Sequence, residues 1–319
     1  MSNKVIGIDI GGTNLRGAVV DEEGNIHNRM KILSEADRGI DVLLDNLAGL
    51  IQDISQGEKI NDIGIGIPGI IDSKKGVITQ APNISNVDNY PLRAALNKKL
   101  GEEMNVVIEN DANCAALGEW WMGAAKEVDS MLMITMGTGV GGGIVLDGKL
   151  WSGANGMAGE IGHITVYPDG ARCNCGNYGC LESYASATAI RRMVHEGLED
   201  QSLDTVLRGK IKNAHIEDVP KIVMEAATNG DNFSHDIWRR VGVALGIGIA
   251  DLVNLLNVEM IVIGGGVSNA WDLFIDETLD EAKRRAFREP MKTAKIVRTG
   301  LNDDAGLLGA SYSALINRV

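Results

Sequence analysis

Val5-Ile6-Gly7-Ile8-Asp9-Ile10-Gly11-Gly12-Thr13-Asn14-Leu15-Arg16-Gly17-Ala18-Val19-Val20-Asp21 is the stretch that decides the fold. An apolar run with one acid near its end, a glycine turn and a second apolar run describe strand, turn, strand. The pattern returns later. Ile134-Thr135-Met136-Gly137-Thr138-Gly139 matches Ile8 to Thr13, and Gly143-Ile144-Val145-Leu146-Asp147 matches Gly17 to Asp21 at the same offset. A repeat of this kind predicts two α/β domains of one design, each opening with strand, Gly turn and strand. Facing each other, they would place the two Gly turns on opposite sides of one cleft.

Glycines between strands let backbone N–H groups approach an anion and form a nest for it. A Walker loop needs Gly-Lys-Ser/Thr, which is absent. A Rossmann turn needs a helix after the glycines, whereas residues 15–20 alternate as a strand. Gly11, Gly12 and Thr13, and Gly137, Thr138 and Gly139, are therefore candidate phosphate loops; tight hairpins that need Gly for geometry are the alternative. Asp9 is placed to hold magnesium, which favours few carboxylates plus substrate phosphates.

Working outward, Glu23-Gly24-Asn25 signals a hairpin. Residues 41–55 have helical spacing at Val42, Leu43, Leu47, Leu50, Ile51 and Ile54. A strand over 63–67 is broken by Pro68-Gly69, and a helix over 91–100 starts on Pro and stops at Gly101. A strand over 106–108 leads into Glu109-Asn110-Asp111 and a helix to about residue 120. Further helices are expected over 186–195, 219–227, 234–256, 268–287 and 303–316, and strands over 259–263 and 294–297. The predicted boundaries are an N-terminal domain over 1–120 and a C-terminal domain over 121–302, with the final helix, 303–319, packing back on the first.

Three of the four cysteines fall in Cys173-Asn174-Cys175-Gly176-Asn177-Tyr178-Gly179-Cys180, ten residues after His163. Three thiolates and an imidazole suit a closed tetrahedral zinc site; a disulfide or a chance cluster are the alternatives. Glu160 and Glu182 bracket the cluster, where a rigid metal knot would hold them as acceptors for a polyol. One ring nitrogen of His163 would bind the metal and the other would face a hydroxyl. The Gly loops belong to separate turns, so loss of zinc is expected to harm binding of a polyol far more than binding of a phosphate.

Asp111 fits two roles equally on the residues alone: a general base at a strand end, and a helix N-cap. Gly264-Gly265-Gly266, between strand and helix, suits close approach of adenine and ribose, or a tight βα turn. Gly69 and Asn83, in Pro68-Gly69 and Pro82-Asn83, are turn signals. Cys114 reads as a buried small hydrophobe, and Trp120-Trp121 as a packing pair. His27, His195, His215 and His235 read as histidines remote from any carboxylate or cysteine cluster.

The chain has 319 residues, 40 glycines and a net charge of −13. That charge disfavours nucleic acid and anionic membrane. The longest apolar run, residues 241–250, cannot span a bilayer. With no signal peptide legible, the cytoplasm is the expected compartment.

The run C-x-C-G-x-x-G-C-x-E after G-E-x-G-H resembles the signature of the ROK family (repressors, open reading frames and sugar kinases), and in detail its bacterial glucokinases. The first Gly loop, E-N-D, the second Gly loop, the cysteine cluster with G-E-x-G-H, and the Gly264 triplet stand in the family's order. The resemblance implies an α/β fold of two similar domains of the actin-like ATPase/hexokinase (ribonuclease H-like) type flanking a cleft, with a zinc-binding loop. It implies ATP, Mg²⁺ and structural Zn²⁺, and transfer of phosphate to the 6-hydroxyl of glucose. Asp111 would be the base, with Gly69, Asn83, Asn110, Glu160, His163 and Glu182 around the sugar. Fructose, mannose, allose and an N-acetylhexosamine remain as substrates, and polyphosphate as donor. ROK repressors carry a helix-turn-helix domain ahead of the first Gly loop; with eight residues before Asp9, none is expected here. A homo-oligomer, dimer or tetramer, is expected.

Overall fold

The computed structural model describes residues 4–81, 84 and 87–318. The opening stretch forms β1 (Lys4–Ile10) and β2 (Asn14–Asp21), followed by β3 (Ile26–Leu33). Helix α1 (Ile40–Ser55) leads to β4 (Asp62–Ile67), the small hairpin β5 (Ile70–Asp72) and β6 (Val77–Gln80), α2 (Leu92–Leu100), β7 (Asn105–Asn110) and α3 (Asp111–Trp121). The first sheet runs β3-β2-β1-β4-β7, with β1–β2–β3 antiparallel and β1–β4–β7 parallel.

The strand patterns explain this order. In β1, Val5, Ile6, Ile8 and Ile10 are all buried, which marks a central strand covered on both faces. In β3 the charged side chains of Arg29 and Lys31 alternate with half-buried Met30 and Ile32, suiting an edge. Leu43, Leu47, Leu50 and Ile54 of α1 bury one face of the sheet, together with Leu92 and Leu96 of α2. The other face takes the last helix.

The second sheet repeats the plan. Strands β8 (Met131–Met136), β9 (Val140–Leu146), β10 (Lys149–Leu150), β11 (Met260–Gly264) and β12 (Lys295–Arg298) lie in the order β10-β9-β8-β11-β12. Between β10 and β11 come the cysteine cluster and α4 (Glu182–Ala185), α5 (Ala187–Leu198), α6 (Val219–Thr228) and the long α7 (Asn232–Leu256). The helix expected over 268–287 is broken into 3-10 turns (Gly266–Leu273) and α8 (Ile275–Arg285). Phe274, 1% exposed, stacks on Trp238 of α7 at 6.2 Å. Burying that ring overrides the local helical pattern. A short α9 (Arg288–Thr293) precedes β12, and α10 (Ala305–Ile316) ends the chain.

Helix α10 lies directly on the first sheet. A Cβ built on Gly64 would sit 1.8 Å from the carbonyl oxygen of Ala310, and one on Gly309 would sit 1.6 Å from that of Cys114 in α3. Glycine alone permits these backbone approaches. Val5, Ala18, Val20, Leu307, Leu308 and Ala314 form the core there. Trp120 and Trp121 pack on Tyr312, with ring centroids 5.9 and 5.2 Å away, as a packing pair should.

By internal packing the chain divides into two compact units: Met1–Met133 with Gly143–Gly159 and Thr299–Val319, and Ile134–Gly142 with Glu160–Arg298. Among the described residues no helix is long and apolar enough to cross a membrane.

Candidate active site and metal centre

In the first unit, Asp9 stands near the end of β1, paired in register with Arg16 of β2. The turn after it is closed by Gly11 N donating to Asn14 O at 2.8 Å. Ser34 Oγ donates to Gly12 O at 3.0 Å and braces it from outside. Burial pushes the Asp9 carboxyl up to about 6; the Arg16 guanidinium opposes this, and the charges of Asp111 and Asp303 add to it. Gly306 in the first turn of α10 leaves room for Asp9, since a Cβ there would lie 3.2 Å from Asp9 Oδ1. A half-buried carboxylate that feels the negative charge of two others suits a hard divalent cation such as magnesium.

The Glu109-Asn110-Asp111 stretch joins β7 to α3, and each residue has its own task. Glu109 is buried and anchors the turn: it accepts from Asn110 N at 2.8 Å, Asn113 Nδ2 at 2.9 Å and Ser73 Oγ at 3.0 Å. Asn110 is the N-cap, its Oδ1 accepting from Ala112 N at 2.9 Å and Asn113 N at 3.2 Å. The capping alternative for Asp111 therefore passes to its neighbour. Asp111 is the first helical residue, and its Oδ1 accepts from Ala112 N at 3.0 Å. Asn110 Nδ2 donates to Gly69 O at 3.0 Å, which brings the Pro68-Gly69 turn to the same place. Gly69 has φ 121°, and a Cβ on it would lie 2.3 Å from Gln80 O. Asn83 lies outside the described residues.

In the second unit, the ligand atoms of His163, Cys173, Cys175 and Cys180 all lie within 4.8 Å of one another. Cys173 Sγ to His163 Nδ1 and Cys175 Sγ to Cys180 Sγ both measure 3.7 Å. A tetrahedron with metal–sulfur bonds of about 2.3 Å has edges of about 3.8 Å, so these two spacings match those of a zinc site. All four cysteines are free thiols, which removes the disulfide alternative. Burial pushes the Cys180 thiol up to about 12, while Asn177's backbone hydrogen bond lowers that of Cys175. His163 Nδ1 faces the thiols and its Nε2 faces Glu160 Oε2 at 3.9 Å, so one ring nitrogen serves each side.

Glu182 begins α4. Its Oε1 lies 3.8 Å from Cys173 Sγ, and its Oε2 accepts from Val140 N at 3.0 Å, at the second Gly turn. That turn is not separate from the knot, contrary to the expectation from sequence. Gly137 N donates to Gly139 O at 2.9 Å, and Thr188 Oγ1 donates to Thr138 O at 2.7 Å. The Gly264 triplet comes to the same end of the sheet: Gly265, with φ 88°, would place a Cβ 2.5 Å from Met136 O. At Gly12, Gly137 and Gly266 a built Cβ would meet no atom within 4 Å, and none of the three has a positive φ. Neither packing nor backbone geometry asks for glycine there. Bare backbone facing open space is what a phosphate or ribose needs.

Asp9, Gly11, Gly12, Thr13, Gly69, Asn110 and Asp111 thus stand in the first unit; Gly137, Thr138, Gly139, Glu160, His163, the three cysteines, Glu182 and the Gly264 triplet stand in the second. Sequence reading missed the anchoring by Glu109, although the acid before Asn110 was in view. It also missed the link from Glu182 to Val140, two residues with no signal in common. His27, read as apart from any carboxylate or cysteine cluster, is exposed, and its Nε2 lies 2.7 Å from the single carboxylate of Asp21. Cys114 is fully buried, as expected, and burial raises its thiol pKa.

Three relatives frame these observations. The glucokinase of Thermotoga maritima is 37% identical over 97% of this chain and 96% of its own length. A xylose repressor of Caldicellulosiruptor bescii is 34% identical over 96% of this chain and 76% of its own length. The crystal structure of a ROK family glucokinase from Streptomyces griseus, in complex with glucose and AMPPNP, aligns with a TM-score of 0.79 at 34% identity, over 97% of this chain and 98% of that one. The fold is the two-domain α/β fold of the actin-like ATPase/hexokinase type, with a Cys/His metal-binding loop. The ROK family model matches residues 5–317, and the chain belongs to the ROK family.

Proposed function

We propose that this protein is an ATP-dependent hexose kinase, a glucokinase that phosphorylates the 6-hydroxyl of glucose. The observation that carries the reading is the division of labour at Glu109-Asn110-Asp111. Glu109 anchors, Asn110 caps, and Asp111 is held at the helix start, its Oδ1 accepting from Ala112 N. In this reading Asp111 accepts the proton of the sugar hydroxyl as the phosphorus–oxygen bond forms. Asn110, with one amide hydrogen committed to Gly69 O, has a second to give the sugar. In this reading Gly69 in the first unit and Glu160, His163 and Glu182 in the second are the candidate partners of the remaining hydroxyls. A misplaced hydroxyl would leave such groups unpaired, which is how a wrong epimer is rejected.

The Gly11–Thr13 and Gly137–Gly139 turns cradle the phosphates of ATP, and Gly264, Gly265 and Gly266 face its nucleoside. Asp9 would hold magnesium, which would supply charge neutralisation at the phosphates. His163, Cys173, Cys175 and Cys180 would hold zinc in a structural role, since four protein ligands would leave no open position. We further propose that residues 1–120 with 303–319, and 121–302, work as two domains, supported by the packing of α10 on β1, β4 and α3. The expected compartment is the cytoplasm.

The similarity to a xylose repressor favours a second reading, a sugar-sensing protein without kinase activity. A coupled assay with ATP over glucose, fructose, mannose, allose and N-acetylhexosamines separates the two. Phosphorylation highest with glucose is the expected result. Asp111→Asn should lose roughly 10²–10⁴ in kcat with little change in sugar affinity. No turnover with any hexose, alongside measurable sugar binding, would favour the sensor.

A further inference from the structure

Glu182 joins two parts of the second unit that its place beside the cysteines would not suggest. One carboxylate oxygen lies 3.8 Å from Cys173 Sγ in the metal knot, and the other accepts the Val140 N–H at 3.0 Å. The fit at the turn is close. A Cβ on Gly139 would lie 2.5 Å from Glu182 Oε2, so the carboxylate fills the space beside that glycine. The knot side holds the turn elsewhere too. A Cβ on Gly162, next to His163, would lie 2.2 Å from Val140 O. Ala187 N donates to Gly137 O at 2.8 Å, and Thr188 Oγ1 to Thr138 O at 2.7 Å. Leu181 N donates to Ile164 O at 2.9 Å, and Cys180 bridges Thr165, which fixes the base of Glu182 to the segment after His163. The carbonyls of Gly137 and Thr138 are thus tied to the start of α5, and the trans peptides turn the amides of Thr138 and Gly139 the other way.

We propose that Glu182 is a positioning residue for the Gly137–Gly139 turn, through which the metal knot sets affinity for the nucleotide as well as for the sugar. The inference rests on the reading of this turn as a phosphate cradle. A charged acceptor holds a backbone donor more firmly than a neutral one, and a turn fixed before binding loses less freedom when the phosphate arrives.

The test uses the full chain and two variants, Glu182→Ala and Glu182→Gln; the second keeps an acceptor for Val140 N. Zinc content is measured for each, so that a collapsed knot is recognised. Hydrogen exchange over residues 137–146 reads the turn directly, and calorimetry with magnesium and AMPPNP, without sugar, reads the cradle. In Glu182→Ala, exchange over this segment should quicken and nucleotide affinity fall roughly 3- to 30-fold, with one zinc per chain retained. Glu182→Gln should restore both within about twofold while its sugar affinity stays impaired. A role confined to sugar contact would move only the sugar. Unchanged exchange in Glu182→Ala with zinc in place overturns the proposal, and so does an equal nucleotide loss in both variants. Faster exchange with unaltered nucleotide affinity would instead remove the phosphate-cradle reading beneath it.

Discussion

Asp9 shows how one residue's surroundings set a measurable pH dependence. Its carboxyl has an ordinary value of 3.8 and is pushed up to about 6, chiefly by burial. Between those values the folded chain keeps a proton that the unfolded chain has released. Stability from this group is therefore full below about pH 4 and is lost as pH rises through about 6. Asp9→Asn should flatten that slope, and thermal midpoints compared at acid and neutral pH will show it. The kinase reading needs the opposite form, because only the ionised carboxylate holds magnesium. Turnover should fall on the acid side of about pH 6, and added magnesium should move that limb to lower pH, since a nearby cation favours the charged form. A limb that ignores magnesium would count against Asp9 as the metal-holding acid.

At the scale of elements, one side chain closes the first unit. Glu119 of α3 is 0% exposed. It accepts from Ala124 N at 2.8 Å, Gly300 N at 3.0 Å and Leu301 N at 2.9 Å, and from Thr299 Oγ1. The segment leaving α3 is thus clasped to the segment entering α10. Glu119→Ala would leave four part-buried donors without their partner and should cost on the order of 2 kcal/mol, read from urea unfolding. A cost under about 1 kcal/mol would mean that water replaces the carboxylate. The metal knot makes a second prediction at this scale. Cys175→Ser should reduce bound zinc from one per chain and lower glucose affinity on the order of 10–100-fold. Given the Glu182 link, nucleotide affinity should fall with it; elemental analysis and calorimetry on one sample decide. Much of this was legible in the sequence. The paired strand–turn–strand motifs gave the sheet plan because apolar runs and glycines report directly on backbone. The cysteine spacing gave the metal site. Glu119 was not legible: it sits three residues before Met122 in an ordinary helix pattern, and three of its partners, Thr299, Gly300 and Leu301, lie about 180 residues away. Nor were β5 and β6, whose short strands carry too few residues to show a period.

For the whole molecule the exposed apolar residues raise the question of assembly. Leu255 and Phe287 are 79% and 78% exposed, and Phe287 N donates to Asn254 Oδ1 at 2.7 Å, so the two stand close together at the end of α7. A pair of large apolar side chains in water favours burial against a partner. We expect a homo-oligomer, dimer or tetramer, by light scattering at micromolar concentration. Phe287→Glu should shift it towards monomer; a monomeric parent protein would remove the expectation. The placement of α10 carries a different consequence, one of timing. Helix α10 covers Gly64 and packs with Val5, Ala18 and Val20, yet a ribosome makes it after every strand of both sheets. Until it emerges the first sheet must wait with that face bare, while the second unit has its own sequence complete before then. The first sheet is covered only after the whole second unit has been made, and the interval of exposure is when chaperones have a surface to hold.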